Sequence, residues 1–366
     1  MVTAVPLVII GDGLAGLTTA QHLLGSGVPG AEILVLAPEA EDAKASDAPC
    51  SICHPFPGQS FQLRPHVLDA FAAADRFLSQ SPPHLRRCVR AQRWLSEEHG
   101  QRSRLLKSYD RIQSQLSGAV RVDQQYPSSA HPKNVSEIFE IAPAWVANLK
   151  GICDWMREGL RQRGIQFESG VLQRLRKEDG KWSVNDGVIE GEKVILALGV
   201  GLPSFFPALP HQKVWGHLVR GERINPEMDI VIGDGHLTSM DHFLWGGASF
   251  LPQQEKPHAQ QEQEAIDALK TKMTVLAGRE YAVTDKWEGA RLVMGHERLP
   301  VAGEIPGLDS CFVIGGAGAN GLLWLPYLSE RLTQELQTRQ EIIPEAFQPN
   351  RYDWDCWQPD RQKIRS

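Results

Sequence analysis

The stretch PLVIIGDGLAGLTTAQHLLGSGVPGAEILVLAPE, residues 6–39, constrains the fold more than any other part of the chain. An apolar run enters a glycine turn, and a helix follows with Leu17, Ala20, Leu23 and Leu24 on one face. A Gly/Pro stop and a second apolar run complete the pattern. Two buried strands joined through a helix make a βαβ unit, the opening of a parallel sheet covered by helices. Gly11, Gly13 and Gly16 keep the G-x-G-x-x-G spacing. The first glycine permits the tight turn, the second lets the backbone approach a pyrophosphate, and the third lets the helix sit close to the strand. The amides opening the helix, at Leu14 and Ala15, then face the anion. A glycine-rich turn that binds nothing has the same letters, so the rest of the chain must supply the context. One customary part is missing: Ala37 stands where an acidic residue would hold the adenosine ribose, with Glu39 and Glu41 as the nearby substitutes.

The chain has 366 residues, beyond the roughly 250–300 at which a single core stops growing, so two lobes are expected. A net charge of −6 argues against a nucleic-acid surface, and no apolar run reaches the roughly 18 residues of a membrane span. No basic leader precedes the first strand, which predicts a cytoplasmic protein. Six cysteines are too few in so long a chain for a disulfide scaffold, so reduced thiols are the default.

Further along, Trp145, Leu149, Ile152, Met156 and Leu160 keep helical spacing, and KVILALGVG at 193–201 is another apolar strand ending in glycines. Residues 310–336 repeat strand, glycine turn and helix, with Leu325, Leu328, Leu332 and Leu336 on one stripe. Residues 81–142 and 208–288 show instead the alternation of half-buried strands, with one helix marked by Ile266, Leu269, Met273 and Leu276. A second lobe inserted into the first in two pieces accounts for this interleaving. DIVIGDGHLTSM lacks a third glycine and a helical stripe, and reads as a hairpin rather than a second nucleotide site. One nucleotide turn at the start and a glycine-rich turn near the end suit a long cofactor held along the sheet, which favours FAD over NAD.

DAPCSICHPFPGQSF at 47–61 places Cys50 and Cys53 before a His-Pro-Phe-Pro-Gly turn. The pair reads as packed thiols, a redox dithiol or half a metal site. A dithiol reductase needs NAD(P)H and hence the second nucleotide site just discounted, and a zinc site needs a second Cys-x-x-Cys, which the chain does not contain; no metal is expected.

In the order of the chain, these segments resemble the D-amino-acid oxidase and glycine oxidase family of FAD-dependent oxidoreductases. VIIGDGLAGLTTAQHLL is similar to its opening fingerprint, and KASDAPCSICHPF to the loop that passes the diphosphate and covers the flavin, with Ala45 and Ser46 in the Ala-Ser place. AWVANLKGICDWMREGLRQRGIQFESGVLQRL resembles the segment meeting adenine near Val171, and KVILALGVG the strand ending at Gly199. GARLVMGHERLPVAGEIPGLDSCFVIGGAGANGLL resembles the closing motif. There Arg291 falls on the arginine that grips a substrate carboxylate, and Gly315, Gly316, Gly318, Asn320, Gly321 and Leu322 fall on the turn that meets the flavin pyrimidine. The HPFPG and GANGLLW versions look like those of bacterial members other than the well-studied oxidases.

The resemblance implies non-covalent FAD, since no cysteine follows the arginine motif where some relatives attach the flavin. It implies a small amine or amino acid as substrate, oxidised at its C–N bond by hydride transfer to flavin N5. Arg291 would be the anchor and His54 a polar group at the flavin edge; for each, a purely structural role is the competing reading. Trp245 stands where secondary-amine oxidases place a lysine over the flavin, so the acceptor, O2 or another, stays open. Within the same fold the other readings are an oxidase of a carboxymethylaminomethyl-modified tRNA base and a flavin-dependent dithiol reductase using Cys50 and Cys53. The expected architecture is α/β: a Rossmann-type FAD-binding domain from 1–80, 143–207 and 289–345, and an inserted α+β substrate domain on an antiparallel sheet from 81–142 and 208–288. The tail, 346–366, is expected to staple back through Trp354 and Trp357. Trp215, Trp245, Trp287 and Trp324 are expected in cores or at the lobe interface.

Overall fold

The computed structural model describes residues 3–38, 44–58, 61–96, 102–116, 118–128, 131–132 and 135–359. Glu39 and Glu41 lie outside them. The chain builds two sheets. In the first, the strands run Val301–Glu304, Cys311–Gly315, Ile189–Leu196, Thr3–Ile10, Ile33–Ala37, Gln166–Ser169. Every neighbouring pair in that order is parallel except the first. A hairpin, Leu175–Glu178 with Lys181–Val184, adds to Ile189–Leu196.

The strands Thr3–Ile10, Ile33–Ala37 and Cys311–Gly315 of this sheet are apolar almost throughout because both faces are covered. Leu7, Ile9, Ile33, Val35, Ile195 and Ile314 share a core with helix residues Leu17, Ala20, Leu328 and Leu332. Their neighbours Val8, Ile10, Leu34, Leu36, Val194 and Val313 pack on the opposite face with Trp182, Phe206 and Trp354. The tail closes this second core as expected. Trp354 meets Phe206 edge-on at 4.9 Å, and the Gln358 amide donates to the Phe205 carbonyl at 2.8 Å.

The second sheet has ten strands in the order Leu251–Pro252, His211–Arg223, Phe243–Gly247, Gly235–Met240, Ile230–Gly233, Arg86–Ser96, Val135–Ala147, Ser51–Cys53. Asp285–Met294 pairs with His211–Arg223, and Arg121–Gln125 with Val135–Ala147. Its pairings are antiparallel apart from Ile230–Gly233 with Arg86–Ser96. DIVIGDGHLTSM is the hairpin of Ile230–Gly233 and Gly235–Met240. The helix Ala259–Ala277 lays Ile266, Leu269, Met273 and Leu276 on the sheet.

One helical expectation fails. Trp145 is not on the helix with Leu149, Ile152, Met156 and Leu160; it lies in Val135–Ala147, opposite Cys53 and Cys88. The helix begins only at Leu149, where the Asn148 side chain accepts the Gly151 amide at 3.0 Å; Trp145, four residues before Leu149, falls on the helical spacing without being on the helix. The expected divisions at 142/143 and 288/289 fall inside Val135–Ala147 and Asp285–Met294. Ser51–Cys53, on the 1–80 side, belongs to the second sheet. Among the described residues no helix is long and apolar enough to cross a membrane.

Candidate active site

Between the sheets lies a cavity of about 1110 Å³. Gly11, Gly13, Leu14, Ala15, Ala45, Ser46, Val171 and Gly199 line it, as do Gly315, Gly316, Gly318, Asn320, Gly321, Leu322, His54 and Arg291. Of the cofactor-binding and catalytic residues expected from the sequence, Gly16 is the one outside the wall. It serves packing: a Cβ there would stand 1.9 Å from the Gly11 carbonyl oxygen. Gly11 has φ +118°, and a Cβ on it would meet the Ala197 carbonyl oxygen at 2.2 Å.

The opening helix, Leu14–Gly25, has no side-chain cap of its own. Its first amide, Leu14 N–H, donates across the chain to Ser46 Oγ at 3.0 Å. The Ala-Ser loop therefore sits against the helix end that favours an anion. Two features not picked out in the sequence hold it there. Asp12 is 5% exposed and paired with Lys44 at 2.5 Å and Arg157 at 3.0 Å, which joins the glycine turn, the loop before Ala45 and the helix Leu149–Gln162. The bare turn, the free helix end and the adjoining hydroxyl are what a dinucleotide diphosphate requires. Gly315 and Gly199, where a Cβ would meet no atom within 4 Å, leave room along the same wall.

The other lining groups come from the second sheet. Arg291, on Asp285–Met294, has burial and Arg298 lowering its pKa to about 10, still cationic at neutral pH. Its Nη2 donates to the Ser249 carbonyl at 2.9 Å. A Cβ on Gly216, diagonal to Arg291 on the paired strand, would lie 2.8 Å from Nη1. His54 is buried, and its Nδ1 accepts the Phe56 amide at 3.3 Å, so the ring both caps the turn and faces the cavity. Burial, with Arg93 and His236 nearby, pushes its pKa down to about 3. Burial and Arg291 bring His236 down to about 4. Both are neutral imidazoles at physiological pH, and with Nδ1 accepting, His54 presents Nε2–H as a donor. Arg93 and His236 carry no local motif; only the strand register shows that they share a face.

Cys50 and Cys53 also line the cavity as free, buried thiols. Burial drives both far above the usual thiol range, the opposite of a reactive thiolate. Trp287 lines the cavity; Trp215, Trp245 and Trp324 are buried outside the wall. Trp245 therefore does not stand in the site. Among the described residues one cluster brings metal-type donors within 4.8 Å of one another: His217, Glu262 and Glu288. Lys286 and Lys256 already hold the two carboxylates, and Ser249 Oγ lies 2.6 Å from His217 Nδ1.

Residues 6–335 match the family described as DAO, FAD dependent oxidoreductase. A curated relative is the tRNA 5-methylaminomethyl-2-thiouridine biosynthesis bifunctional protein MnmC of Marinobacter nauticus, 23% identical over 360 residues. That match takes in 90% of this chain and 55% of the relative, so the chain spans about half the length of the curated protein it matches. Among solved structures, L-proline dehydrogenase from P. horikoshii superposes with a TM-score of 0.77 at 15% identity, covering 96% of this chain and 98% of that one. Iminodiacetate oxidase from Chelativorans sp. BNC1 gives a TM-score of 0.75 at 18% identity, with 94% and 98% covered. These likenesses establish the two-sheet fold.

Proposed function

The chain belongs to the DAO family of FAD-dependent oxidoreductases, and from that premise we propose that it oxidises the C–N bond of a small amine or amino acid, with FAD held non-covalently. One observation carries the reading: the dinucleotide turn and a buried arginine facing no carboxylate among the described residues, Arg291, line the same cavity. Solved structures of the same fold include glycine oxidase from Bacillus cereus and iminodiacetate oxidase, which supports an amine as substrate. FAD, when bound, supplies a two-electron hydride acceptor. Gly11, Gly13, Leu14 and Ser46 would hold its diphosphate, and the start of the helix Gly321–Thr338 would present positive partial charge to its ring.

The protein's own groups do the rest. The Arg291 fork takes the substrate carboxylate in two parallel hydrogen bonds, fixed by the Ser249 carbonyl behind it. That grip sets which C–H faces the cofactor. The positive charge of Arg291 favours the free amine over the ammonium, so an unshared nitrogen pair is available without a dedicated base. His54 and His236, both neutral, donate or accept hydrogen bonds without adding charge. Cys50 and Cys53 take no part.

The test is the visible spectrum of the purified protein, followed anaerobically as amino acids and N-alkyl amino acids are added. Bleaching of the flavin bands is expected. A yellow protein that no amine bleaches overturns the amine reading, and a colourless one that cannot take up FAD overturns the cofactor. The match to a tRNA-modifying protein favours a second reading, in which the amine is carried on a modified tRNA base. Retarded migration with tRNA in a gel that persists with heparin as competitor would select it.

A further inference from the structure

Arg93 is 3% exposed, yet no carboxylate among the described residues pairs with it. Its Nη2 donates to the Phe56 carbonyl at 3.1 Å, its guanidinium lies over the Phe61 ring at 5.2 Å, and its Nε is buried with no partner at all. A buried cation with an unused donor is costly unless an anion completes it. The residue belongs to the cavity wall, as does Arg291, which likewise has a backbone carbonyl but no counter-ion. Two such cations on one cavity exceed what a single carboxylate needs.

The register shows how they share it. Arg93 stands opposite Ile232, and Ile232 opposite His236. The row continues through Gly247 and Leu218 to Trp287. Residues directly opposite in a sheet point to one face, and Arg93, Ile232, His236, Leu218 and Trp287 all line the cavity. Arg291 lies on the same face as Trp287, four residues along its strand, because strand side chains repeat every second residue. His236 stands in that row between the two arginines, and the neutral imidazole of His54 lines the same cavity. The floor is thus cationic at two places, with an uncharged imidazole between them.

We propose that Arg93 is a second anion anchor, so that the substrate is an amine bearing two acidic groups, one held by Arg291 and the other, further along the sheet, by Arg93. This rests on the amine-oxidation reading of the site. The substrate class is N-carboxyalkyl amino acids and amino diacids rather than glycine or sarcosine. Arg93 selects among substrates and leaves the reacting C–H to Arg291 and the cofactor.

The experiment uses the FAD-loaded protein with sarcosine, iminodiacetate, N-(2-carboxyethyl)glycine and N-methylglutamate, in anaerobic reduction. In parallel, calorimetric titration uses acetate, succinate and glutarate, which cannot be oxidised. At least one diacid amine should show a KM at least tenfold below that of sarcosine. Arg93→Met should erase that advantage with sarcosine kinetics little changed, and Arg93→Lys should restore part of it. Succinate or glutarate should bind at least tenfold tighter than acetate, and Arg93→Met should remove the difference. If no amine reduces the flavin but the diacids still bind through Arg93, the amine reading fails and the second anchor stands. The anchor is overturned if mono- and diacids bind alike in the wild type, or if Arg93→Met weakens both equally, as loss of a clamp on the Phe56 turn would. It is also overturned if the variant shifts the flavin spectrum of the ligand-free protein and leaves diacid preference intact, which would place Arg93 on the cofactor.

Discussion

A Cβ on Gly216 would stand 2.8 Å from Nη1 of Arg291, so the buried guanidinium keeps its place because its diagonal neighbour on the partner strand, two residues from Val214, has no side chain. Gly216→Ala should push the fork off its line to the Ser249 carbonyl. The expected outcome is a rise of about tenfold or more in KM for the best amine with FAD content unchanged, since small misplacements of an anchoring group cost one to two powers of ten. Arg291→Met should lower kcat/KM about a hundredfold or more, because it removes the charge as well as the fork. Steady-state kinetics beside a flavin absorbance ratio separates the two effects from loss of cofactor.

Gly11→Ala acts at the other end of the cavity. Its φ of +118° and the Ala197 carbonyl oxygen 2.2 Å from the added Cβ leave no relaxed position. The backbone strain alone is worth about 1–3 kcal/mol. The variant should purify with little or no FAD and a lowered melting temperature, both read from absorbance and thermal unfolding. Ser46→Ala should be milder. It withdraws the oxygen that accepts the Leu14 amide, a cap worth about 0.5–2 kcal/mol, and should weaken FAD retention in dilution experiments without abolishing it.

The buried histidines set a pH dependence of stability. His54 and His236 have folded pKa values pushed down to about 3 and about 4, against an ordinary value near 6.5. Above that ordinary value both states are neutral and nothing is lost. As pH falls below it the unfolded chain takes up protons that the folded chain refuses, so stability drops progressively until the folded values are reached. Melting temperature should fall between pH 7 and pH 4.5, and His54→Gln should flatten the slope. An unchanged slope in that variant would show that other groups carry the dependence.

Cys50 and Cys53 should be inert in the native state. Burial holds both as thiols, so an aromatic disulfide reagent at pH 8 should modify them only upon unfolding, and the double Ser variant should retain amine oxidation. NAD(P)H oxidation coupled to their titration would revive the dithiol reading.

What the sequence discloses and what it hides follow from range. Gly11, Gly13 and Gly16 are legible because a turn makes its demands on the backbone of adjacent residues. Arg291 is legible only through the long motif around it; alone it is one arginine among many. Arg93 and His236 are invisible, since they come onto one face through the pairing of Arg86–Ser96, Ile230–Gly233 and Gly235–Met240, and no spacing along the chain encodes that register. The Asp12 cluster hides for the same reason: residues 12, 44 and 157 converge only after the glycine turn, loop and helix have packed. Trp145 misleads because a strand that ends one residue before a helix can hold a residue four positions ahead of the helix's stripe by accident.

The chain alternates between its sheets, building the first with residues 3–37, 166–196 and 301–315 and the second with 51–147 and 211–294. During synthesis the strand Thr3–Ile10 must therefore wait for its neighbour Ile189–Leu196, and that neighbour for Cys311–Gly315, before the first sheet has its inner order. Neither half can mature on the ribosome ahead of the other, and contacts of such long sequence separation fold slowly. A nascent chain stalled before residue 301 would present unpaired apolar strand edges, so demand for chaperones should peak late in translation, when most of the polypeptide already exists.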